Sequence, residues 1–389
     1  MSKYLNILIA ILVFSCNSTE ITESMVETKT FVLDPTDNNK IPISEVIEEV
    51  IFLPLETTNE SLIGDIRSIK YFNNKYFIHD YEKVLCFNED GTFHSKLGSF
   101  GSGPDQYSSC DQFIIDEVNG YLMINSQRTR MELLMYNSTL QFLSKRKYSD
   151  PLESIIPIDG KGFCFYLGNR NSESNKHYVK TFDYDFNVQN NYIEKSFTID
   201  HSITSPFYSS YSYQNKAYVY PMFENVIYEV DMEGYVPKYR FDFGNYTITE
   251  EFLKSIERLS LRDQLLALKE SKYVYNIDRV FESDKWMYFQ YNSGTEGMHK
   301  VLFNKELDKV YDTRGFTHMA DFGMMSLMYG MDGDDIYYTL DPNLLHGTSE
   351  EAVNFQKFIL SKNEAIRKLK DKTENGDNPI LVIGKLKSN

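Results

Sequence analysis

A short polar turn that follows an aromatic-rich strand recurs six times along this chain. The turns begin at residues 87, 136, 184, 230, 303 and 360, so the steps between them are 49, 48, 46, 73 and 57 residues. VLCFNEDG and IYEVDMEG are two of the copies. A repeat of this length predicts copies of one small supersecondary unit that bury their cores against their neighbours.

Two insertions explain the longer steps. Residues 247–270 carry apolar side chains mostly three and four residues apart, with Thr249 in position to cap the N-terminus, and this pattern predicts an amphipathic helix. Removing these 24 residues from the step of 73 leaves 49 (73 − 24 = 49), which restores the period. A second insertion at residues 347–355 explains the step of 57 in the same way.

A second strand precedes the turn strand in every unit. These segments are KYFIHD (75–80), GYLMIN (120–125), KGFCFYL (161–167), KAYVYP (216–221), KWMYFQY (285–291) and DIYYTL (335–340). An earlier strand, such as IRSIKYF or DQFIID, completes a unit of about four strands, which is typical of a propeller blade. We therefore predict an all-β fold: a six-bladed β-propeller with one inserted amphipathic helix.

The two ends of the predicted ring have to meet, because an open propeller leaves unpaired edge strands. Residues 44–56 (SEVIEEVIFLPLE) and 378–386 (NPILVIGKL) have the composition of strands and lie at opposite ends of the domain. We expect them to share the last blade.

The N-terminus has the pattern of an export signal. One early lysine, Lys3, precedes an apolar run from Leu5 to Phe14 that is too short to span a bilayer. Val13-Phe14-Ser15-Cys16 resembles a bacterial lipobox, in which cleavage leaves the cysteine to carry lipid. We predict a signal peptide over 1–15, lipid attachment at Cys16, a flexible tether over 16–39 and the propeller over 40–389. The alternative is an ordinary signal peptide that contains a cysteine.

Several stretches match the motifs of a known family. They are the strand end Ile51–Thr57, the following Leu62-Ile63-Gly64, the turn FNEDG and the glycine-rich GSFGSGPDQY at 98–107. Together they resemble the six-bladed β-propeller lipoproteins of Bacteroides-type bacteria, with a distant similarity to NHL-type propellers. The mid-chain helix and the ending near Asn378-Pro379 fit the same family. The resemblance implies the fold and a location in the cell envelope, and it implies no general activity.

Apparent motifs for bound groups are weak. Gly98, Gly101 and Gly103 follow a strand, but Pro104 comes next and no helix opens, so we interpret them as a join between blades and not as a phosphate cradle. Asp183-x-Asp185-x-Asn187 imitates a calcium loop but has Val188 where that loop needs glycine. The sequence 332–335 (DGDD) favours a solvated acidic hairpin, and DFG at 321–323 lacks every other kinase motif. We predict no cofactor and no metal.

The cysteines beyond Cys16 match no metal or redox spacing. Cys86, Cys110 and Cys164 have apolar or aromatic neighbours, which indicates buried structural thiols. One disulfide with one free thiol is the alternative.

Polar residues at the ends of blade strands are the candidates for ligand contact, because the mouths of propeller rings host ligands. The predicted binding residues are His79, Asp80, Arg128, Arg130, Tyr208 and Tyr211, with Gln127 and Tyr213 beside them. The structural alternative is that these side chains cap strands or line a wet channel.

The formal net charge of −16 argues against a nucleic-acid partner, since the chain has no lysine or arginine block to offset it. The sequence predicts a monomeric binding or scaffold module, attached by its lipid to the outer membrane on the periplasmic or the outer surface. Its partner would be an envelope protein, a peptide or a glycan. The alternative is a propeller enzyme, a metal-dependent hydrolase or lyase with its site at the central channel.

Overall fold

The strands of the chain form six four-stranded antiparallel blades around a central axis, which confirms the six-bladed β-propeller. The computed structural model describes residues 28–128, 130–169, 176–195, 209–319, 327–360 and 362–388. The predicted signal peptide, the first half of the tether with Cys16, Tyr208 and the DFG triplet lie outside these residues. Within them, no helix is both long enough and apolar enough to cross a membrane.

The strands follow one another as the repeat predicts. Before blade one lie β1 (Lys29–Val32), β2 (Lys40–Pro42) and β3 (Ile47–Pro54). Blade one contains β4 (Ile66–Phe72), β5 (Lys75–Asp80), β6 (Val84–Asn88) and β7 (Phe93–Lys96), and is followed by β8 (Ser99–Phe100) and β9 (Gln106–Tyr107). Blade two contains β10 (Gln112–Asp116), β11 (Tyr121–Ser126), β12 (Glu132–Tyr136) and β13 (Phe142–Lys147). Blade three contains β14 (Ser154–Ile158), β15 (Gly162–Tyr166), β16 (His177–Asp183) and β17 (Val188–Glu194).

The second half of the ring has the same order of strands. Blade four contains β18 (Ser210–Tyr213), β19 (Lys216–Val219), β20 (Val226–Val230) and β21 (Tyr235–Asp242). Blade five contains β22 (Val274–Glu282), β23 (Trp286–Ser293), β24 (Gly297–Asn304) and β25 (Lys309–Thr313), and is followed by β26 (Gly315–Thr317). Blade six contains β27 (Gly330–Asp332), β28 (Asp335–Leu340), β29 (Ile380–Leu386) and, from the other end of the chain, β3.

The cores lie between adjacent blades. The second strands are apolar over most of their length because both faces of a blade are covered by its neighbours, and β15 is buried at every position. One core cluster joins Phe77 of blade one to Leu122 and Ile124 of blade two. This packing leaves the first strand of each blade at the central axis.

The two ends of the chain close the ring inside blade six, as predicted. Strand β3 pairs antiparallel with β29, with Ile51 opposite Ile383. Asn378 reinforces this closure because its side-chain amide donates to the carbonyl oxygens of Glu56 (2.8 Å) and Ser61 (2.9 Å). Its side-chain oxygen accepts from Ile63 N (2.9 Å).

Residues before the predicted boundary at residue 40 also belong to the fold. Strand β1 adds a parallel fifth strand to blade four beside β21, and β2 pairs with β26. The segment between β1 and β2 is held by hydrogen bonds to blade five. His299 Nε2 lies 3.0 Å from the Pro35 carbonyl oxygen, and Thr313 donates to the Asn39 carbonyl oxygen (2.7 Å). The described part of the predicted tether is therefore a strap across blades four and five.

The expected single helix at 247–270 is two helices, α1 (Glu250–Ile256) and α2 (Leu261–Glu270). Thr249 caps the first helix as predicted, by accepting from Phe252 N. Ser260 caps the second helix by accepting from Asp263 N, and this new N-terminus is the reason that the helix does not continue through residues 257–260. Both helices pack on Met222 and Ile248, beside blade four.

The sixth copy of the turn, placed at Leu360, is wrong. Blade six carries a helical insertion between its second and third strands: α3 (Pro342–His346), α4 (Glu350–Ile359) and α5 (Glu364–Lys370). Leu360 is the C-cap of α4, whose buried Ala352, Phe355 and Ile359 follow helical spacing. The third strand of blade six is β29, so the insertion is longer than residues 347–355.

The glycine-rich stretch at 98–107 is the join between blades one and two, as predicted. Strands β8 and β9 form a short parallel pair within it. Gly98 has a φ of +66°, and a Cβ at this position would overlap the Tyr136 hydroxyl of blade two. Lys145 Nζ donates to the carbonyl oxygens of Gly103 (3.1 Å) and Gln106 (2.7 Å), so the loop is held by packing and hydrogen bonds.

Candidate ligand-binding channel

A cavity of about 500 Å³ runs along the axis of the propeller, and the first strands of all six blades line it. This volume lies in the range of small-molecule sites in proteins. The insertion helices α1 to α5 contribute no lining residue. We name its two ends for the connections found there: the hairpin mouth, at the turns between first and second strands, and the join mouth, at the connections between blades.

Six polar links between adjacent blades hold the region around the channel. They are His79 to Cys110 (3.1 Å), Gln112 to Ile155 (3.0 and 2.9 Å), Ser154 to Ser210 (2.5 Å), Tyr211 to Glu282 (2.6 Å), Arg279 to Met328 (3.4 Å) and Ile69 to Tyr329 (3.0 Å). The last link joins two backbones directly. Gly330 permits this approach, because a Cβ there would overlap the Ile69 carbonyl oxygen. The channel therefore has a preformed wall.

The acidic groups of the channel lie at the hairpin mouth. Glu117, Asp159 and Asp284 occupy the turns of blades two, three and five, and Asp332 is the last residue of β27. Burial raises the pKa of Asp332 above its usual value, and the charges of Glu117 and Asp335 add to the effect. The hairpin mouth is therefore a region of negative potential.

The cationic groups of the channel lie further from that mouth. Phe72, beside the turn of blade one, pairs with Lys75, whereas Lys70 pairs two residues deeper with Phe77. Arg67 lies deeper still, on the bulge between Ile66 and Ser68. Arg279 of blade five lies on a similar bulge. The sign of the charge therefore changes along the axis.

His79 and Asp80 lie at the join end of blade one and are both 2% exposed. His79 links blades one and two, and burial lowers its pKa to about 4, so the ring is neutral at pH 7. Asp80 accepts from the backbone of Gly64 (3.0 Å), Glu82 (2.8 Å) and Lys83 (2.9 Å). Both side chains have structural partners, and their contact with a ligand stays a prediction.

The predicted arginines of blade two are more accessible. Arg128 Nε lies 2.7 Å from Asp111 Oδ1, and its side chain is 59% exposed. Arg130 Nη2 donates to Ser102 Oγ of the glycine-rich join (3.1 Å). The nearby Gln127 backbone donates to Asp111 Oδ2 (2.8 Å). The structure places these residues at the join face with His79 and Asp80, and a ligand role for either arginine stays a prediction.

Tyr211 lines the channel and is bound to a buried carboxylate. Its hydroxyl donates to Glu282, whose side chain also accepts from Tyr239 and lies 2.5 Å from Lys305 Nζ. Burial and the charge of Glu282 raise the pKa of Tyr211 well above its usual value, which keeps the hydroxyl as a donor. Tyr213 also lines the channel and donates to Asp284 (2.9 Å). The two tyrosines lie together on β18.

The weaker motifs have structural roles. Asp183 accepts from the backbone of Asp185 and Asn187 (both 2.9 Å), which makes the calcium-like segment a hairpin turn of blade three. Cys86, Cys110 and Cys164 are buried free thiols, as the sequence indicated. Across the described ranges, no three His, Cys, Asp or Glu side chains are grouped so that they could hold a metal ion.

Sequence reasoning missed Arg67, Lys70 and Arg279. A signal was present, because IRSIKYF and NIDRVFE carry cations inside otherwise largely apolar first strands. The sequence did not show that these strands lie nearest the axis or that two of them have bulges.

The comparisons with known proteins agree with this architecture. The family described as "Domain of unknown function (DUF4934)" matches residues 29–385. The chain belongs to this family. No curated protein matches the chain.

Two solved structures show the extent of the similarity. The chain is 20% identical to a "Putative exported protein" from Bacteroides fragilis NCTC 9343, over 92% of this chain and 99% of that one, with a TM-score of 0.79. It is 10% identical to a member of the duf4221 family from Bacteroides vulgatus, over 88% of this chain and 97% of that one, with a TM-score of 0.48. The first likeness shows that the fold is shared.

Proposed function

We propose that this member of the family is an exported, lipid-anchored propeller of the cell envelope that binds a protein, peptide or glycan partner. The channel is the observation that carries the proposal. It combines a preformed wall, a volume of about 500 Å³ and charged, aromatic and hydroxyl side chains from all six blades. A rigid site of this kind costs little conformational entropy when a ligand binds.

Two observations support export and anchoring. Residues 1–16 have the pattern of a signal peptide that ends in a lipobox. The Bacteroides fragilis protein of the same fold is named as exported. The proposal places the propeller at the outer membrane, on its periplasmic or its outer surface, as a relative of the propeller lipoproteins and more distantly of NHL-type propellers.

The binding proposal is tested by partner capture from solubilised envelopes of the source bacterium. Ser212 lines the channel and is exposed to it, so Ser212→Trp should fill the cavity. Ser138→Trp places the same side chain on an exposed turn of blade two and serves as the matched control. We expect the wild type and Ser138→Trp to capture the same partner and Ser212→Trp to lose it. Equal capture by all three contradicts a channel site, and turnover of a substrate by the purified chain would favour the enzyme hypothesis.

The anchor is tested separately by Cys16→Ala with metabolic labelling by a fatty acid. We expect the wild type to carry the label and fractionate with membranes, and the variant to lose both properties. An unlabelled wild type would show that the cysteine belongs to an ordinary signal peptide.

A further inference from the structure

Two arginines of the channel lie on bulges in the first strands of their blades. The pairing of first and second strands shifts register at Arg67 in blade one and at Arg279 in blade five. In the described parts of the other four blades, the corresponding pairing runs without a shift. A bulge redirects a side chain and interrupts the ladder, and bulges are frequent beside binding sites.

The backbone at Arg279 supports a functional interpretation of its bulge. Its φ of +51° lies in the left-handed region, which is unfavourable for a residue with a long side chain. From this position the guanidinium donates to the Met328 carbonyl oxygen at the entrance to β27 (3.4 Å). The conformation thus holds a planar cation against the first strand of blade six.

Blade one approaches the same strand from the other side. Ile69 N donates to the Tyr329 carbonyl oxygen (3.0 Å), next to Met328 in sequence. Arg67 and Lys70 flank Ile69 on β4, so the cationic positions of blades one and five border one short segment of blade six. Arg67 is oriented by Tyr81, whose ring centroid lies 3.3 Å from the guanidinium carbon.

Lys70 is a cation of the channel wall. Within the part of the chain that the structure describes, its ammonium group has no hydrogen bond and no ion pair within 4.0 Å. Burial lowers the pKa of Lys70, and the charge of Glu117 opposes this effect. Lys70 is half-buried in the channel wall, so an anion that enters the channel can pair with its ammonium group.

We propose that the inner part of the channel, bordered by Arg67, Lys70 and Arg279, binds the carboxylate group of a small ligand. The inference rests on the proposed function and names the chemistry of its ligand. Guanidinium groups suit a carboxylate because their N–H donors match its two oxygens.

The acidic hairpin mouth favours a singly charged anion over a multiply charged one. Glu117, Asp159, Asp284 and Asp332 surround that end of the channel, and their field opposes a polyanion more strongly than a monoanion. A singly charged carboxylate therefore fits better than a phosphate. The carboxylate can belong to a short peptide with a free C-terminus or to an acidic sugar, and both fit the volume of the cavity.

The experiment is calorimetric titration of the mature chain at low ionic strength with two matched pairs of probes. One pair is an N-acetylated tripeptide with a free or an amidated C-terminus, and the other is a glucuronate-containing disaccharide and its neutral glucose counterpart. Inorganic phosphate is the fifth probe. We expect the charged member of one pair to bind at least about tenfold more tightly than its neutral partner, and phosphate to bind more weakly. The pair that shows the preference identifies the source of the carboxylate.

Lys70→Met tests the assignment directly, because it keeps the length of the side chain and removes its charge. The preference for the carboxylate should fall by about tenfold in Lys70→Met and persist in Lys70→Arg. Lys96→Met, on the exposed outer strand of blade one, should leave it unchanged. Thermal unfolding of each variant establishes that it is folded.

Three results would overturn the inference: no preference for a carboxylate in either pair, tighter binding of phosphate, or an unchanged preference in folded Lys70→Met. Capture of a partner that Ser212→Trp abolishes, together with any of these results, leaves the binding function standing without its carboxylate. If the carboxylate preference depends on Lys70 but no partner is captured, the carboxylate site stands and the proposed binding of an envelope partner fails.

Discussion

Blade two and blade six have the same four-stranded order but differ in how the chain supplies it. Blade two is one continuous segment in which every strand pairs with the next one in sequence. Blade six takes its outer strand β3 from the beginning of the chain and its other three from the end. A helical insertion also separates β28 from β29.

This difference indicates that the closure in blade six limits the stability of the ring. Blade two can form from local contacts. The outer strand of blade six is far in sequence from the strand it pairs with, so its pairing has a larger entropic cost of loop closure. Direct backbone links and the hydrogen bonds of Asn378, which is 4% exposed, offset this entropic cost in blade six. The following predictions test whether the closure has this role.

Deletion of the closing strand should have the largest effect. Removing residues 1–54 takes away β3 and the strap, which leaves β29 as an exposed edge and uncovers the apolar face that β3 protects. We expect aggregation or loss of the cooperative unfolding transition, measured by size-exclusion chromatography and calorimetry. Removing residues 1–27 should leave the transition intact. A folded, monomeric chain without residues 1–54 would contradict the role of the closure.

Glycine-to-alanine substitutions compare how tightly blade one packs against blade six on one side and against blade two on the other. Gly330→Ala in blade six forces a Cβ into the backbone oxygen of Ile69, and we expect a loss of about 3 kcal/mol in the free energy of unfolding. Gly98→Ala meets the hydroxyl of Tyr136, a side chain that can move, and its positive φ adds strain, so about 1 to 2 kcal/mol is expected. Gly234→Ala, with open space around it, is the control. Chemical denaturation of all three gives the order, and an equal cost at Gly330 and Gly234 would refute the close approach.

Two asparagines compare the hydrogen bonds of the ring closure in blade six with those of a local turn in blade two. Asn378→Ala removes three side-chain bonds that join the two ends of the chain, two of them to backbone carbonyls, and should cost about 2 to 3 kcal/mol. Asn137→Ala removes the bonds of an exposed turn in blade two and should cost about 1 kcal/mol or less. Urea unfolding measures both variants. A smaller loss at Asn378 than at Asn137 would show that the closure is not reinforced there.

The links on either side of blade one should differ in their response to pH. The Ile69–Tyr329 link is between backbones and does not titrate, whereas His79 has a folded pKa of about 4, below its ordinary 6.5. The folded chain therefore binds fewer protons than the unfolded chain between these values, and stability falls as the pH drops from about 6.5 towards 4. At pH 5 the loss from His79 is about 2 kcal/mol.

His79→Gln isolates this contribution. Asp278 acts in the opposite direction because burial raises its pKa to about 6, but it is present in both proteins and cancels in the difference. We expect the stabilities of wild type and variant to diverge between pH 8 and pH 5, with the wild type losing more. Parallel pH profiles from urea unfolding would show that His79 is not buried as a neutral ring.

The repeat in the sequence was sufficient for the fold because blades one to five are each built from one local segment. The second strands were found from apolar runs in all six blades, and the two end segments were paired correctly because edge strands have to be covered. The error at Leu360 has a physical cause: KFILSKNE has the apolar-then-polar order of a turn strand, and helical spacing over Ala352, Phe355 and Ile359 competes with it. The break at Ser260 was missed because a cap inside a continuous amphipathic pattern resembles a solvated helical position.

The candidate site was less accessible to sequence reasoning. His79 and Asp80 were chosen because they end a blade strand, but the sequence did not show that both side chains are buried or that His79 contacts the Cys110 carbonyl oxygen before blade two. Arg67, Lys70 and Arg279 were overlooked, since a cation in a strand is compatible with any exposed face.

The sequence by itself determined the number of blades, their order and the way the ring closes, because these follow from hydrophobic periodicity and from the need to pair every strand. Only the tertiary structure decided which charges face the channel. That placement depends on two bulges and on contacts with the first strand of blade six. Ile69 of blade one reaches Tyr329 across more than two hundred residues of sequence, and Arg279 of blade five reaches Met328 across about fifty. The glycine-rich stretch at 98–107, the clearest local motif, is part of the wall between blades and not of the site.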